Sequence, residues 1–219
     1  MSGAGIGSTP GHARADERMR GVSREHRSDG DGMASARDDR HHDGVPILFL
    51  VVGLPGAGKT RLAHQLAAEY RALRLTPDEW MIPLFGEAEG DGRRDVLEGR
   101  LLWLALKAAT LGTGVVLDFG FWSRDERTAV RAIAGEHGVA AQVNYLPIDR
   151  ETQIARIAER LNRAPETTFP MTATDLDAFA STFEVPTSDE LSDGPLDQPP
   201  TGGSWRAWAA VRWPSFPAS

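Results

Sequence analysis

The segment Ile47-Leu48-Phe49-Leu50-Val51-Val52-Gly53-Leu54-Pro55-Gly56-Ala57-Gly58-Lys59-Thr60 constrains this chain more than any other. Six apolar residues in unbroken succession predict a strand buried on both faces, as in a parallel sheet covered by helices. The strand ends in a glycine-rich turn that fits G-x-x-x-x-G-K-[ST] at every position, from Gly53 to Thr60. Leu62, Leu66 and Tyr70 then fall on one helical stripe, predicting a helix from Lys59 to about Arg71. Strand, glycine turn and helix in this order form an anion cradle. Glycines let backbone N–H groups turn inward where a side chain would block them. The helix N-terminus adds its partial positive charge.

Each residue type in the loop has a part in holding a nucleoside triphosphate. Gly53, Leu54, Pro55, Gly56, Ala57 and Gly58 wrap the phosphates with their backbone. Lys59 supplies a full charge near the β and γ groups, and the Thr60 hydroxyl is a ligand for Mg²⁺. Phosphate binding alone does not select a reaction, because one loop serves kinases, switches and motors.

Further along, Leu73 to Thr76 predicts a short second strand stopped by Pro77. Leu97, Leu101, Leu104, Ala108 and Leu111 have helical spacing, closed by Gly112, and Trp103 of that helix is expected in the core. Val115 to Leu117, ending at Asp118, reads as a third strand. Ser123 with Glu126 forms a capping box opening the next helix. Ala140 to Leu146 is a fourth strand, and Asp149 caps a helix reaching Arg163. A helix from about Thr174 to Phe183 follows. The alternation predicts a three-layer α/β fold, a parallel sheet of four to five strands with helices on both faces.

The candidate chemistry lies at the strand tips. Asp78 follows the second strand, where a carboxylate can accept the proton of an acceptor hydroxyl. It can equally cap the helix that Pro77-Asp78-Glu79-Trp80 opens. Asp118 ends the third strand, where it suits Mg²⁺ or substrate. Trp80, Phe121, Trp122 and Arg124 follow these aspartates and are candidates for lining an acceptor pocket, with covering the sheet edge the alternative for Trp80 and Trp122. Arg156, Arg160 and Arg163 share a helical face opposite Ile154, Ile157 and Leu161. The basic face is either a solvated stripe or a lid of which at least one arginine closes on the triphosphate. The stretch 164–170, Ala-Pro-Glu-Thr-Thr-Phe-Pro, is a candidate mobile lid.

Composition narrows the partners. A net charge of −7 gives no general attraction to nucleic acid or anionic lipid, and tilts the acceptor towards a small molecule over a polynucleotide end. No cysteine is present, which excludes thiolate metal sites and cysteine nucleophiles. The six histidines show no ligand spacing. No apolar run approaches the ~20 residues of a membrane span, and no secretory signal opens the chain, so a cytoplasmic location is expected. Residues 1–44 carry almost no large apolar side chain and are expected to be disordered. Residues 188–219 are Pro/Gly-rich and are expected to form a flexible tail carrying Trp205, Trp208 and Trp213.

With these motifs in view, residues 47 to 187 resemble the small P-loop kinase-like proteins of the AAA-type ATP-binding family. Zeta toxin, chloramphenicol phosphotransferase and polynucleotide kinase are relatives. The resemblance rests on the loop, Thr76-Pro-Asp-Glu-Trp80, Val116-Leu-Asp-Phe-Gly-Phe-Trp-Ser-Arg124, Arg160-Leu-Asn162 and Phe183-Glu-Val-Pro-Thr187. It implies an ATP-binding domain over 45–187 that uses Mg²⁺, with the proton-accepting aspartate on Asp78 and the phosphate-clamping arginine on Arg156 or Arg160. The rival reading is a nucleotide-dependent switch that hydrolyses ATP slowly, or a polynucleotide 5′-hydroxyl kinase. A fifth strand, which many relatives add after Phe183, is not evident here.

Overall fold

The computed structural model describes residues 45–86, 91–163 and 171–218. The arm 1–44 and the lid stretch 164–170 lie outside the described residues.

The apolar run forms β1 (Ile47–Val52), and its position follows from its side chains. Leu48, Leu50 and Val52 belong to one buried cluster, Phe49 and Val51 to another, so both faces need cover. Only a central strand satisfies that. β1 lies between β3 (Val115–Gly120) and β4 (Ala140–Tyr145), with β2 (Leu73–Leu75) at the edge, in the order β2-β3-β1-β4. All three pairings are parallel. The sheet has four strands, as one of the two expected counts had it.

α1 (Lys59–Glu69) covers one face through Ala63 and Leu66, which pack with Phe49, Val51 and Val116. α3 (Arg93–Thr110) and α4 (Arg124–Glu136) contribute to the larger cluster on the other face. α2 (Asp78–Phe85) follows β2, and α5 (Arg150–Arg163) follows β4. α6 (Ala173–Thr182), α7 (Ser188–Leu191) and α8 (Trp205–Arg212) complete the order. From β1 the chain crosses to β2 at one edge, returns to β3, and then passes to β4 on the other side of β1. This reversal of direction opens a crevice at the carboxyl ends of the strands, where ligands of such sheets bind.

Local signals were read well at several boundaries. The Ser123–Glu126 capping box is complete, and the Asp149 carboxylate accepts from the Thr152 N–H at 2.8 Å. β3, however, runs three residues past Leu117, and its last residues belong to the site.

Three expectations need correction. Trp103 is 37% exposed, and its ring carries Arg100 and Lys107 at 5.4 and 5.9 Å. The buried stripe of α3 is rotated from the expected one: Leu102, Ala105, Leu106 and Ala109 go inside, while Leu104 and Leu111 are exposed. Small Ala105 and Ala109 suit a close approach to the sheet, which apolarity alone does not register. In α5, Ile154 is exposed and Gln153 is the buried residue.

The third correction is the largest. The segment expected to be a flexible tail is folded, with Trp205, Trp213 and Phe216 in the main core cluster and Trp208 packed against it. Its α7 brings Glu190 to Arg127 of α4 at 2.6 Å, with side chains 2% and 0% exposed. Helices of four and eight residues have no stability alone, so only tertiary burial holds them. Among the described residues no helix is long and apolar enough to cross a membrane.

Candidate functional site

The loop between β1 and α1 needs its last glycine. Gly58 is the N-cap of α1 at φ 98°, a left-handed conformation that L side chains resist. No side chain caps this helix and no acid stands in its first turn. Its N–H groups therefore meet no built-in anion, which suits an external one. The exposed Thr60 belongs to the same first turn.

Lys59 Nζ donates to the Leu54 carbonyl at 3.2 Å, folded back over its own loop. Burial lowers its pKa, and the neighbouring charges of Arg94 and Arg160 add to that; Asp118 and Asp78 pull the other way. The ammonium thus shares one electrostatic environment with both strand-tip carboxylates and with two arginines. Residues from β1–α1, β2–α2, α3, β3 and α5 converge there.

Asp118 is buried, and its Oδ2 accepts from Arg74 Nη2 at 2.9 Å. Arg74 also pairs with Glu79. Asp78 opens α2 but makes no capping bond; the N-cap is Pro77. Its carboxylate instead accepts from Arg94 Nη2 at 2.9 Å. The capping alternative is thereby corrected: the side chain turns to α3, although its charge still favours the helix N-terminus. Among the described residues, Arg74 Nε and Thr76 Oγ1 are buried polar atoms with no protein partner. Arg74 lies in β2 and Thr76 directly follows it, on the way to Asp78. Such atoms cost about 1–3 kcal/mol each when unsatisfied, and they mark the strand tip as a place suited to a polar ligand.

α5 lies against the phosphate loop. Gln153 Nε2 donates to the Pro55 carbonyl at 3.0 Å, and Ile157 stands near Gly56. Arg156 Nη1 reaches the carbonyls of Gly56 at 3.2 Å and Ala57 at 3.4 Å. Arg156 therefore braces the loop from its carbonyl side, while Arg160 is the α5 arginine whose charge acts on Lys59 together with that of Arg94. Arg163 pairs with Glu159 in the exposed last turn.

At the tip of β3 the chain turns sharply. Gly120 has φ 98°, and a Cβ there would come within 2.9 Å of Trp122 Nε1. Phe121 follows at φ 42°, a conformation costing roughly 1–2 kcal/mol in a non-glycine residue. Arg127 Nη1 donates to the Phe121 carbonyl at 3.1 Å and so fixes the bend. Trp122 is half-buried, edge-on to Phe179 at 5.1 Å. Trp80 projects from the first turn of α2, 41% exposed. Arg124 is placed differently: its Nε donates to Asp197 at 2.6 Å and its Nη1 to Thr187 at 3.3 Å. The C-terminal segment takes this guanidinium.

Sequence reasoning missed Arg74, Arg94, Gln153 and Arg127. Gln153 had a signal, lying three residues before Arg156 on the same helical face. The arginines had none, since each finds its partner through strand order or helix packing.

No curated protein matches the chain. Among solved structures, Kti12 of Chaetomium thermophilum, in complex with ADP-AlF3, superposes with TM-score 0.54 at 18% identity, over 78% of this chain and 100% of that one. A candidate kinase of Chloroflexus aurantiacus gives 0.50 at 20%, over 73% and 85%. The protein APE1195 gives 0.50 at 23%, over 77% and 93%. These likenesses establish the three-layer P-loop fold. The AAA domain family model, AAA_33, matches residues 48–186, from the buried strand through the loop, both strand-tip aspartates and α6. A match over well over half of the chain, on a sheet and loop of this geometry, means that the protein belongs to this family of P-loop kinase-like AAA domains.

Proposed function

We propose that the chain is a phosphotransferase that moves the γ-phosphoryl group of ATP to a hydroxyl of a small-molecule acceptor. The observation that supports the reading is that Asp78 and Asp118, at the carboxyl edge of a parallel sheet, lie within electrostatic reach of Lys59. A switch needs the loop; a transferase also needs an acid-base group beside it. The ADP-AlF3 bound by the Chaetomium relative supports ATP as the donor.

The loop N–H groups and Lys59 would hold the triphosphate, with Lys59 leaving the Leu54 carbonyl for the phosphates. Arg160 would balance charge on the transferred group, and Arg156 keeps the loop in shape. Asp78 would orient the acceptor hydroxyl and take its proton, with Trp80 and Trp122 flanking the acceptor. Mg²⁺, when bound, would neutralise charge between the β and γ groups. Thr60 and Asp118 are residues that would hold it, a set of the size Mg²⁺ normally takes from protein. Among the described residues no group of three or more His, Cys, Asp or Glu gathers to form a metal cage.

A transfer screen with γ-labelled ATP tests the proposal against nucleosides, sugars, aminoglycosides and 5′-hydroxyl oligonucleotides. A labelled small product is expected. Label only on oligonucleotide ends would move the acceptor class, and label only in free phosphate would favour the switch. A second expectation concerns binding. ATP at a hundred times its Kd should stabilise the wild type by about 2.7 kcal/mol, several degrees in a melt. Lys59→Ala should lose that shift, and a variant that keeps it would remove the loop from the argument.

A further inference from the structure

Glu98 is an acid on the apolar face of α3, with Leu97, Leu101, Leu102 and Ala105 of the core around it in sequence. Its side chain is only 9% exposed. A buried carboxylate persists only where partners hold it. Its two oxygens are taken from opposite directions. Oε1 accepts from Arg94 Nε at 3.2 Å, and Oε2 from the indole Nε1 of Trp213 at 3.2 Å. Arg94 uses its Nη2 on Asp78. The result is an unbroken line of four side chains, Asp78–Arg94–Glu98–Trp213. It runs from a carboxylate 71% exposed to a tryptophan 1% exposed.

The far end of this line is firmly seated. A Cβ on Gly99, next to Glu98, would come within 2.9 Å of the Phe216 backbone N and 3.2 Å of Trp213 Cβ. Only glycine lets the C-terminal segment approach so closely. Arg212 adds bonds to Asp95 at 2.6 Å and to Glu126 at 2.7 Å. The charged groups that act on Glu98 are thus Arg94 from its own helix, Arg212 from α8 and Glu126 from α4. The net result of its surroundings, with burial the largest cause, is a Glu98 carboxyl raised to about 7. Arg94, Arg212 and the Trp213 N–H draw it back, and Glu126 adds to the rise.

We infer that the C-terminal segment is a positioning element of the active site, with Trp213 and Glu98 acting through Arg94 on the orientation of Asp78. The inference rests on the reading of Asp78 as acceptor base. An arginine on a long side chain, held only at its Asp78 end, would leave that carboxylate free to turn with it. Glu98, when ionised, holds Arg94 from the other side and so fixes the direction from which Arg94 meets the Asp78 carboxylate. Trp213 favours the ionised form of Glu98. Trp213 lies outside the stretch 48–186 that matches the family, so this part of the chain would tune a site it does not itself contain.

Two measurements test this, the first without any turnover. Carbon-13 carboxyl spectra of Glu-labelled protein, with the Glu98 signal assigned by its loss in Glu98→Gln, give the titration midpoint of Glu98. Coupling through Arg94 is reciprocal. Asp78→Asn should therefore weaken the competing charge on Arg94 and lower that midpoint, while Trp213→Phe should raise it. A midpoint unmoved in both variants overturns the inference, whether or not the chain transfers phosphate.

The second measurement is γ-phosphoryl transfer to water at saturating Mg·ATP across neutral pH. Trp213→Phe should be several-fold slow below about pH 7 and recover near pH 9, with KM for ATP unchanged. Glu98→Gln should flatten the wild-type rise around neutrality. A deficit equal at every pH would reduce Trp213 to a packing residue and overturn the inference. A Glu98 midpoint that moves as expected, beside an Asp78→Asn variant with full turnover, would sustain the coupling and overturn the base role it serves.

Discussion

Asp78→Asn should cut phosphoryl transfer by about 100-fold or more while leaving Mg·ATP affinity near the wild-type value. The two effects separate because the side chain stands at the tip of β2, outside the loop that holds the phosphates. Asparagine keeps the shape and can still meet Arg94, so folding should be little affected. It cannot take a proton. The comparison to make is single-turnover transfer to the acceptor found in the screen, with ATP binding followed by thermal shift on the same samples. A variant that transfers at the wild-type rate would leave Asp78 only the favourable place of an acid at a helix N-terminus.

The second large effect concerns stability. Arg127→Ala should destabilise the fold by roughly 3–5 kcal/mol, the cost of stranding one member of a buried ion pair. That is a large share of the ~5–15 kcal/mol that holds a typical domain together. Glu190 would lose its partner at 2.6 Å, and the Phe121 carbonyl would lose its donor at 3.1 Å. The loss should reach the site as well, since this carbonyl belongs to the bend that aims Trp122. Urea unfolding of Arg127→Ala, Glu190→Gln and the double variant would show the coupling, with the double variant less destabilised than the sum. Simple additivity would mean that the pair contributes nothing as a pair.

The same pair carries a pH dependence. Burial alone would raise the Glu190 pKa, but Arg127 and the Thr187 N–H outweigh it and hold it below the ordinary glutamate value. With a folded pKa below the unfolded one, the contribution is complete above the usual glutamate range. It fades as pH falls through the folded value. Acid titration of wild-type stability should therefore show a loss in this range that Glu190→Gln does not share.

The functional half of the chain was legible because its signals are local. A doubly buried strand, a glycine turn and an amphipathic helix can each be recognised within about a dozen residues, and their order implies the sheet. Asp78 and Asp118 could be placed at strand tips for the same reason. Their partners could not. Arg74 meets Asp118 across 44 positions because β2 and β3 are neighbours, and Arg94 meets Asp78 across 16 because α3 folds back. Helical spacing groups Arg156 and Arg160 on one face of α5, yet only packing against the loop separates Arg156, which touches its carbonyls, from Arg160.

The C-terminal segment marks the limit from the other side. Its prolines, glycines and short apolar runs carry no periodicity long enough to announce a helix, and short helices gain little from propensity. What holds Trp205, Trp213 and Phe216 is a surface built by α3 and α4, with Glu98, Glu126 and Arg127 already in place to receive indole, arginine and carboxylate. Residue order alone determined the phosphate cradle and the α/β plan, since both follow from backbone geometry and nearest-neighbour periodicity. Which charges face one another, and that the chain's end belongs to the core, was decided by tertiary structure, because burial and ion pairing join residues that only the folded chain brings together.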